Sequence, residues 1–262
     1  MKLRDKYGSW ACIAGAGEGL GKAFSEGLAK RGFNLILIDH KKDLLDGTKD
    51  YLEASYDVEA ICLHLDLNEK NSIIPILEAI EKQQCRFLVY NAAYGPVKAF
   101  LSNTLEEIDR YMNVNIGTQI HLIHQFVKKY IEQSAGVLMV SSLAGFRGTQ
   151  FVIPYAATKA FIWNLAEGLY YEFKDSGIDF SVCIPGATDT PNFRSTNPKK
   201  NSLAPKSQRP ELVAEEALNK FGGKLFIIPG TANKISHFIL NRLLPRRMAS
   251  SIHNSTMKKM YK

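Results

Sequence analysis

Seven short runs rich in Val, Ile and Leu recur along the chain, and segments with helical periodicity fill the gaps between them. The runs are WACIA (10–14), NLILID (34–39), AICLHLDL (60–67), FLVYNAA (87–93), GVLMVSS (136–142), DFSVCIPG (179–186) and KLFIIPG (224–230). A strand with one wet face alternates apolar and polar residues; these runs are almost continuously apolar, so both faces must be covered. Such strands alternating with helices specify a parallel sheet between two helix layers, a doubly wound α/β fold of about seven strands. Helices are predicted from Gly19 to Arg31, across IIPILEAIEKQ, over about 104–133, and through PYAATKAFIWNLAEGLYYEF to a stop near Gly177.

The 262 residues, 45% of them hydrophobic, suit a single domain over 1–262. No run approaches the ~18–20 apolar residues of a membrane span, and MKLRDKYGSWACIAG has no apolar leader core. Cys12, Cys62, Cys85 and Cys183 are far apart, without CxxC spacing, and read as reduced thiols of a cytoplasmic protein. The formal charge is +7, and residues 231–262 alone hold seven Lys and Arg with no acid. The basicity therefore belongs to a C-terminal extension and not to a nucleic-acid-binding body. Residues 191–210, polar and proline-rich, read as a substrate loop or lid.

After the first strand comes Gly15-Ala16-Gly17-Glu18-Gly19-Leu20-Gly21, then a helix. A helix N-terminus presents unpaired N–H groups and partial positive charge, and glycines let the backbone approach a pyrophosphate. Asp39 ends the second strand, 18 residues after Gly21. A carboxylate there accepts hydrogen bonds from an adenosine ribose and repels a 2′-phosphate; Glu18 adds repulsion, while His40, Lys41 and Lys42 act the other way. NAD is expected ahead of NADP. Asp66, ending the third strand, is placed to accept from an adenine amino group or to act as a helix N-cap.

The pattern YxxxK occurs three times, as Tyr94/Lys98, Tyr155/Lys159 and Tyr170/Lys174. The first spans Gly95-Pro96 and the third sits near a helix end. Only Tyr155 follows a strand-terminal serine, Ser142, by 13 residues. Positions i and i+4 share a helix face, so Lys159 can stand beside the Tyr155 phenol. A neighbouring cation favours phenolate and brings a group of ordinary pKa about 10 towards usable acid/base chemistry.

These residues resemble the short-chain dehydrogenase/reductase family over about 10–230. The resemblance rests on AGAGEGLG (14–21), Asp39, Asp66-Leu67, YNAA (90–93), Asn115 in MNVNIG, Ser141-Ser142, the Tyr155/Lys159 pair and PGATDT (185–190). It implies a Rossmann-like fold and a nicotinamide-dependent enzyme interconverting a ketone and a secondary alcohol, acting on a small molecule. It further implies Tyr155 as acid/base, Ser142 as a hydrogen-bond donor to the reacting oxygen, and Lys159 as lowering the tyrosine pKa and holding the nicotinamide ribose. Asn115 would anchor a water relay. Asn91, Ala92 and Ala93 would lie along the cofactor, with Asp66 and Leu67 at its adenine end. Pro185, Gly186, Thr188 and Thr190 would clamp its carboxamide. Pairing of the helices that carry Asn115 and Tyr155 would give a homodimer or homotetramer.

The start, KYGSWACIAG, is closer to the 3-ketoacyl-CoA and 17β-hydroxysteroid reductase-like branch, a hint towards a lipid-like substrate. The chain departs from the family at Ala14, Gly17 and YNAA, and from that branch at Asp39-His40. The departures leave a second reading, a dinucleotide-binding regulator without turnover. No metal is expected: His121 and His124, one helical turn apart, read as helix packing or a subunit contact. The basic extension reads as a cap beside the substrate cleft or a subunit contact, with an anionic membrane surface or phosphorylated carrier as the alternative. Lys199, Lys200, Lys206 and Arg209 read as solvated, or as facing an anionic substrate.

Overall fold

A computed structural model describes residues 2–199 and 206–262. One sheet holds seven strands: β1 (Trp10–Ala14), β2 (Asn34–Asp39), β3 (Ala60–His64), β4 (Phe87–Tyr90), β5 (Ala135–Val140), β6 (Ile178–Cys183) and β7 (Phe226–Ile227). Their order is β3-β2-β1-β4-β5-β6-β7 with every pairing parallel, which is the doubly wound, Rossmann-like arrangement. The winding reverses between β1 and β4, and that is where a crevice opens at the carboxyl ends of the strands.

The helices are α1 (Leu3–Tyr7), α2 (Gly19–Ala29), α3 (Lys42–Ser55), α4 (Ile73–Lys82), α5 (Leu105–Met112), α6 (Thr118–Tyr130), α7 (Ile153–Phe173), α8 (Pro191–Ser195), α9 (Pro210–Lys220), α10 (Thr231–Phe238) and α11 (Arg246–Tyr261). The strand runs lack alternation because successive residues serve two different cores. Ala11, Ile13, Leu35, Leu37, Phe87 and Val89 pack with Phe24 and Leu28 of α2 and Leu218 of α9. Their neighbours Cys12, Ile36, Ile38, Leu88 and Tyr90 pack with Ile76 and Ile80 of α4, Phe126 of α6 and Ile162 of α7.

Several apolar runs extend past the observed strands at the carboxyl side, and the excess residues build the crevice. FLVYNAA leaves the ladder after Tyr90, where the amides of Asn91 and Ala92 turn back to the Ala14 carbonyl at 3.0 and 2.9 Å. The predicted helix over 104–133 is three pieces. Thr104 and Glu107 form a capping box on α5, and a wide π-helical turn, Asn113–Gly117, separates α5 from α6. Residues 191–195 of the expected lid loop are α8, and residues 200–205, including Lys200, lie outside the described residues. His121 and His124 are both exposed on α6, so neither packs in a helix seam. Cys12, Cys85 and Cys183 are buried free thiols and Cys62 is half-buried. Among the described residues no helix is long and apolar enough to cross a membrane.

Candidate active site

The glycine loop is built by close approach. Gly15 (φ +80°) and Gly19 (φ +58°) occupy the left-handed region, which a side chain rarely adopts. A Cβ on Gly15 would stand 2.8 Å from the Ala92 backbone, and one on Gly21 only 1.7 Å from the Gly15 carbonyl oxygen. The Asn91 amide donates to that same oxygen at 2.9 Å, tying β4 to the loop. No side chain caps the start of α2, so its first amides are free for an anionic group. The bare backbone of this loop therefore fits a dinucleotide pyrophosphate.

Asp39 faces the loop. One carboxylate oxygen accepts from the Gly17 amide at 3.0 Å and the other from the Lys41 amide at 3.1 Å. The Lys41 ammonium is paired with Glu18. Asp66 accepts from the Asn68 amide at 2.9 Å and pairs with Arg110 at 2.8 Å. It caps a turn and not a helix, since α4 begins only at Ile73. Leu67 is buried and its carbonyl accepts from Thr118.

Ser142 stands just beyond β5 and caps a short 3₁₀ turn, accepting from the Ala144 amide at 3.2 Å. Tyr155 and Lys159 share one face of α7, with the ammonium 5.5 Å from the phenol ring centroid. Lys159 is 2% exposed and donates to the Val140 carbonyl at 2.7 Å. Burial pulls its pKa from 10.5 down to about 7. The other two YxxxK pairs fall in the irregular segment before α5 and at the exposed end of α7.

The expectation that Lys159 depresses the tyrosine pKa is not met. Desolvation holds the Tyr155 phenol above its ordinary 10, and only the Ser142 hydroxyl pulls it the other way. The reason is geometric: the ammonium is turned to Val140, and burial lowers its own pKa so that it is only partly charged near neutrality. Gly95 lies flat on the tyrosine, since a Cβ there would come within 2.7 Å of the ring.

Asn115 is bonded through its side chain to Tyr94 and Thr158. Its Oδ1 accepts from the Tyr94 amide at 2.7 Å, and its Nδ2 donates to the Tyr94 carbonyl and to Thr158 Oγ1, each at 2.9 Å. Thr158 in turn donates to the Tyr155 carbonyl at 2.8 Å. The amide thus braces α7.

Gly15, Asp39, Asn91, Ala92, Ala93, Ser142, Tyr155, Lys159, Pro185, Gly186, Thr188 and Thr190 all line one cavity of about 1370 Å³. Two residues not singled out in the sequence hold its Pro185–Thr190 wall. The Gln208 carbonyl accepts from the Asp189 amide at 2.8 Å, and the Asn233 amide donates to the Gln208 side chain at 2.7 Å. Thr190 caps α8.

The far wall is the basic extension, placed as a cap. Arg147 donates to the Leu240 carbonyl and to Asn241. Thr149 meets His253 at 3.1 Å, and the Asn254 amide accepts from the Gln150 amide at 2.8 Å while donating to the Gly148 carbonyl at 3.0 Å. Local sequence carried no sign of these contacts, because each joins positions about a hundred residues apart.

The short chain dehydrogenase family model matches residues 9–201. A 7beta-hydroxysteroid dehydrogenase of Mediterraneibacter gnavus is 31% identical over 240 residues, covering 90% of this chain and 91% of that one. A very-long-chain 3-oxoacyl-CoA reductase of Anas platyrhynchos is 30% identical over 211 residues, 78% of this chain and 68% of its own. A solved structure bearing on 7beta-hydroxysteroid dehydrogenase stereoselectivity superposes with a TM-score of 0.87 at 28% identity, over 96% of this chain and 98% of that chain.

Proposed function

The chain belongs to the short chain dehydrogenase family, a nicotinamide-dependent oxidoreductase of CH–OH and C=O groups, and we propose that it interconverts a ketone and a secondary alcohol on a bulky, sterol-like skeleton with Tyr155 as the acid/base. The observation that carries this reading is the meeting of Ser142, Tyr155 and Lys159 in the same cavity as the Gly15–Gly21 loop. The relatives that act on hydroxysteroids and very-long-chain acyl groups support a large apolar substrate. So does a substrate-side wall that includes Phe146, Leu240, Met257 and Met260.

A bound nicotinamide dinucleotide supplies the hydride donor or acceptor, held by the Gly15–Gly21 loop, Asp39, Asn91 and the Pro185–Thr190 wall. The chain's own residues manage the proton. In reduction, the Ser142 hydroxyl donates to the carbonyl oxygen and Tyr155 delivers its phenolic proton to that oxygen as negative charge develops. The phenolate left behind is stabilised by Ser142 and by Lys159 once the lysine is protonated; in oxidation the same proton returns to the phenolate.

The cofactor reading is NAD ahead of NADP: Asp39 and Glu18 line the cavity beside the glycine loop, where they would repel a 2′-phosphate, and the Lys41 ammonium is already paired with Glu18. Exposed Leu105, Met112 and Tyr171 on α5 and α7 support pairing of two copies through that face.

Tyr155→Phe tests the central assignment. Turnover of a 7-keto or 7β-hydroxysteroid should fall by about 10²- to 10⁴-fold, with dinucleotide affinity, read by fluorescence titration, unchanged. Turnover within twofold of the parent would remove Tyr155 from the chemistry.

A further inference from the structure

The C-terminal cap is apolar on two faces. Leu240 lines the cavity, together with His237 and Asn241. Other residues of the same stretch turn outward: Ile235 and Phe238 are 55% exposed, Ile239 42%, Leu243 62% and, at the start of α11, Met248 53%. A helical face with that many large apolar side chains in water needs a cover.

The charges around it say which. Arg242, Arg246 and Arg247 are exposed, and none has an ion-pair partner among the described residues. No Asp or Glu occurs anywhere in 231–262. A second copy docked through the same patch would bring three arginines against the same three across a twofold axis, a repulsive pairing. A negatively charged lipid surface satisfies both features, taking the apolar side chains into the headgroup boundary and the arginines at the phosphate level.

We propose that the outward face of the cap, Ile235 to Met248, docks on an anionic lipid bilayer, setting the substrate cavity at the membrane surface. Resting on the substrate reading above, the position would admit a membrane-partitioned amphiphile to the cavity directly from lipid.

Vesicle flotation tests this with the full chain. The protein should float with phosphatidylcholine–phosphatidylserine vesicles, not with phosphatidylcholine alone, and salt should weaken the binding. Phe238→Glu/Leu243→Glu and, separately, Arg242→Gln/Arg246→Gln/Arg247→Gln should each reduce binding by at least about tenfold. Both variants should keep turnover on a water-soluble ketone, which shows that they fold. Three results would overturn the proposal: no flotation on phosphatidylserine vesicles at low salt, flotation unchanged in both variants, or lipid-independent self-association that the same substitutions abolish. Flotation without turnover of any ketone would instead sink the functional reading and leave the docking standing.

Discussion

Lys159→Met should make the protein more stable while removing its activity. Lys159 is 2% exposed and its pKa is pulled to about 7 by burial. At pH 7 the unfolded chain carries a full charge there and the folded chain about half of one. Displacing the pKa from 10.5 to about 7 then costs the folded state on the order of 4 kcal/mol. Methionine fills a similar volume without the charge. It leaves the Val140 carbonyl, now bonded at 2.7 Å, without its donor, and an orphaned buried acceptor costs about 1–3 kcal/mol. The net gain is about 1–3 kcal/mol, or a Tm increase of very roughly 2–12 °C for a domain of this size. The sign of the pH dependence is fixed. A lysine with a lowered folded pKa is penalised fully below about pH 7, and the penalty fades as pH rises towards 10.5, where both states are neutral. By about pH 9.5 only about 1 kcal/mol of it remains, so the advantage of methionine should shrink to nothing or reverse. Urea unfolding of both proteins at about pH 7 and 9.5, with turnover in parallel, checks this. A methionine variant less stable at pH 7, or an advantage independent of pH, would refute the idea that burial lowers the Lys159 pKa.

The remaining expectations concern the loop, the cofactor and the cap. Gly21→Ala places a Cβ 1.7 Å from the Gly15 oxygen, so the loop must shift; dinucleotide affinity should fall by about 100-fold or more, in calorimetric titration, with the circular dichroism of the fold retained. NADH should bind at least about tenfold more tightly than NADPH, and Asp39→Ser should narrow the ratio; equal affinities in the parent would end the NAD assignment. Asn254→Ala frees the 148–150 backbone from its clamp and should lower kcat by about tenfold while leaving dinucleotide Kd unchanged; a loss confined to Kd would contradict a positioning role.

What could be read from sequence was what is local. The two-sided burial of each strand is written in its composition, and β1 and β2 have the predicted limits. The Gly15–Gly21 loop, Asp39 and the Tyr155/Lys159 spacing each sit in one strand–turn or helix register, so their placement followed from that register. What stayed hidden depends on groups far apart in the chain. Nothing around Asn115 tells that its amide is consumed by Tyr94 and Thr158. Nothing around Tyr155 tells that its lysine faces Val140. The pKa directions follow from those two facts and from burial, which depends on the assembled layers.

The cap shows how far such contacts reach into the candidate site. The segment from Ser142 to Tyr155 holds Phe151 at φ +67°, a conformation that costs a non-glycine residue about 1 kcal/mol or more and persists only when its surroundings over-determine it. The Phe151 carbonyl accepts from the Lys98 amide at 2.8 Å. On the other side Arg147, Thr149 and Gln150 are all held by residues 240–254. At about 1 kcal/mol for each hydrogen bond, those contacts are enough to offset the strain. The same bonds must break if the cap is to lift away from the cavity. Opening the cap would therefore loosen the segment between Ser142 and Tyr155, so that cavity access and the placement of these two side chains depend on one short stretch of chain.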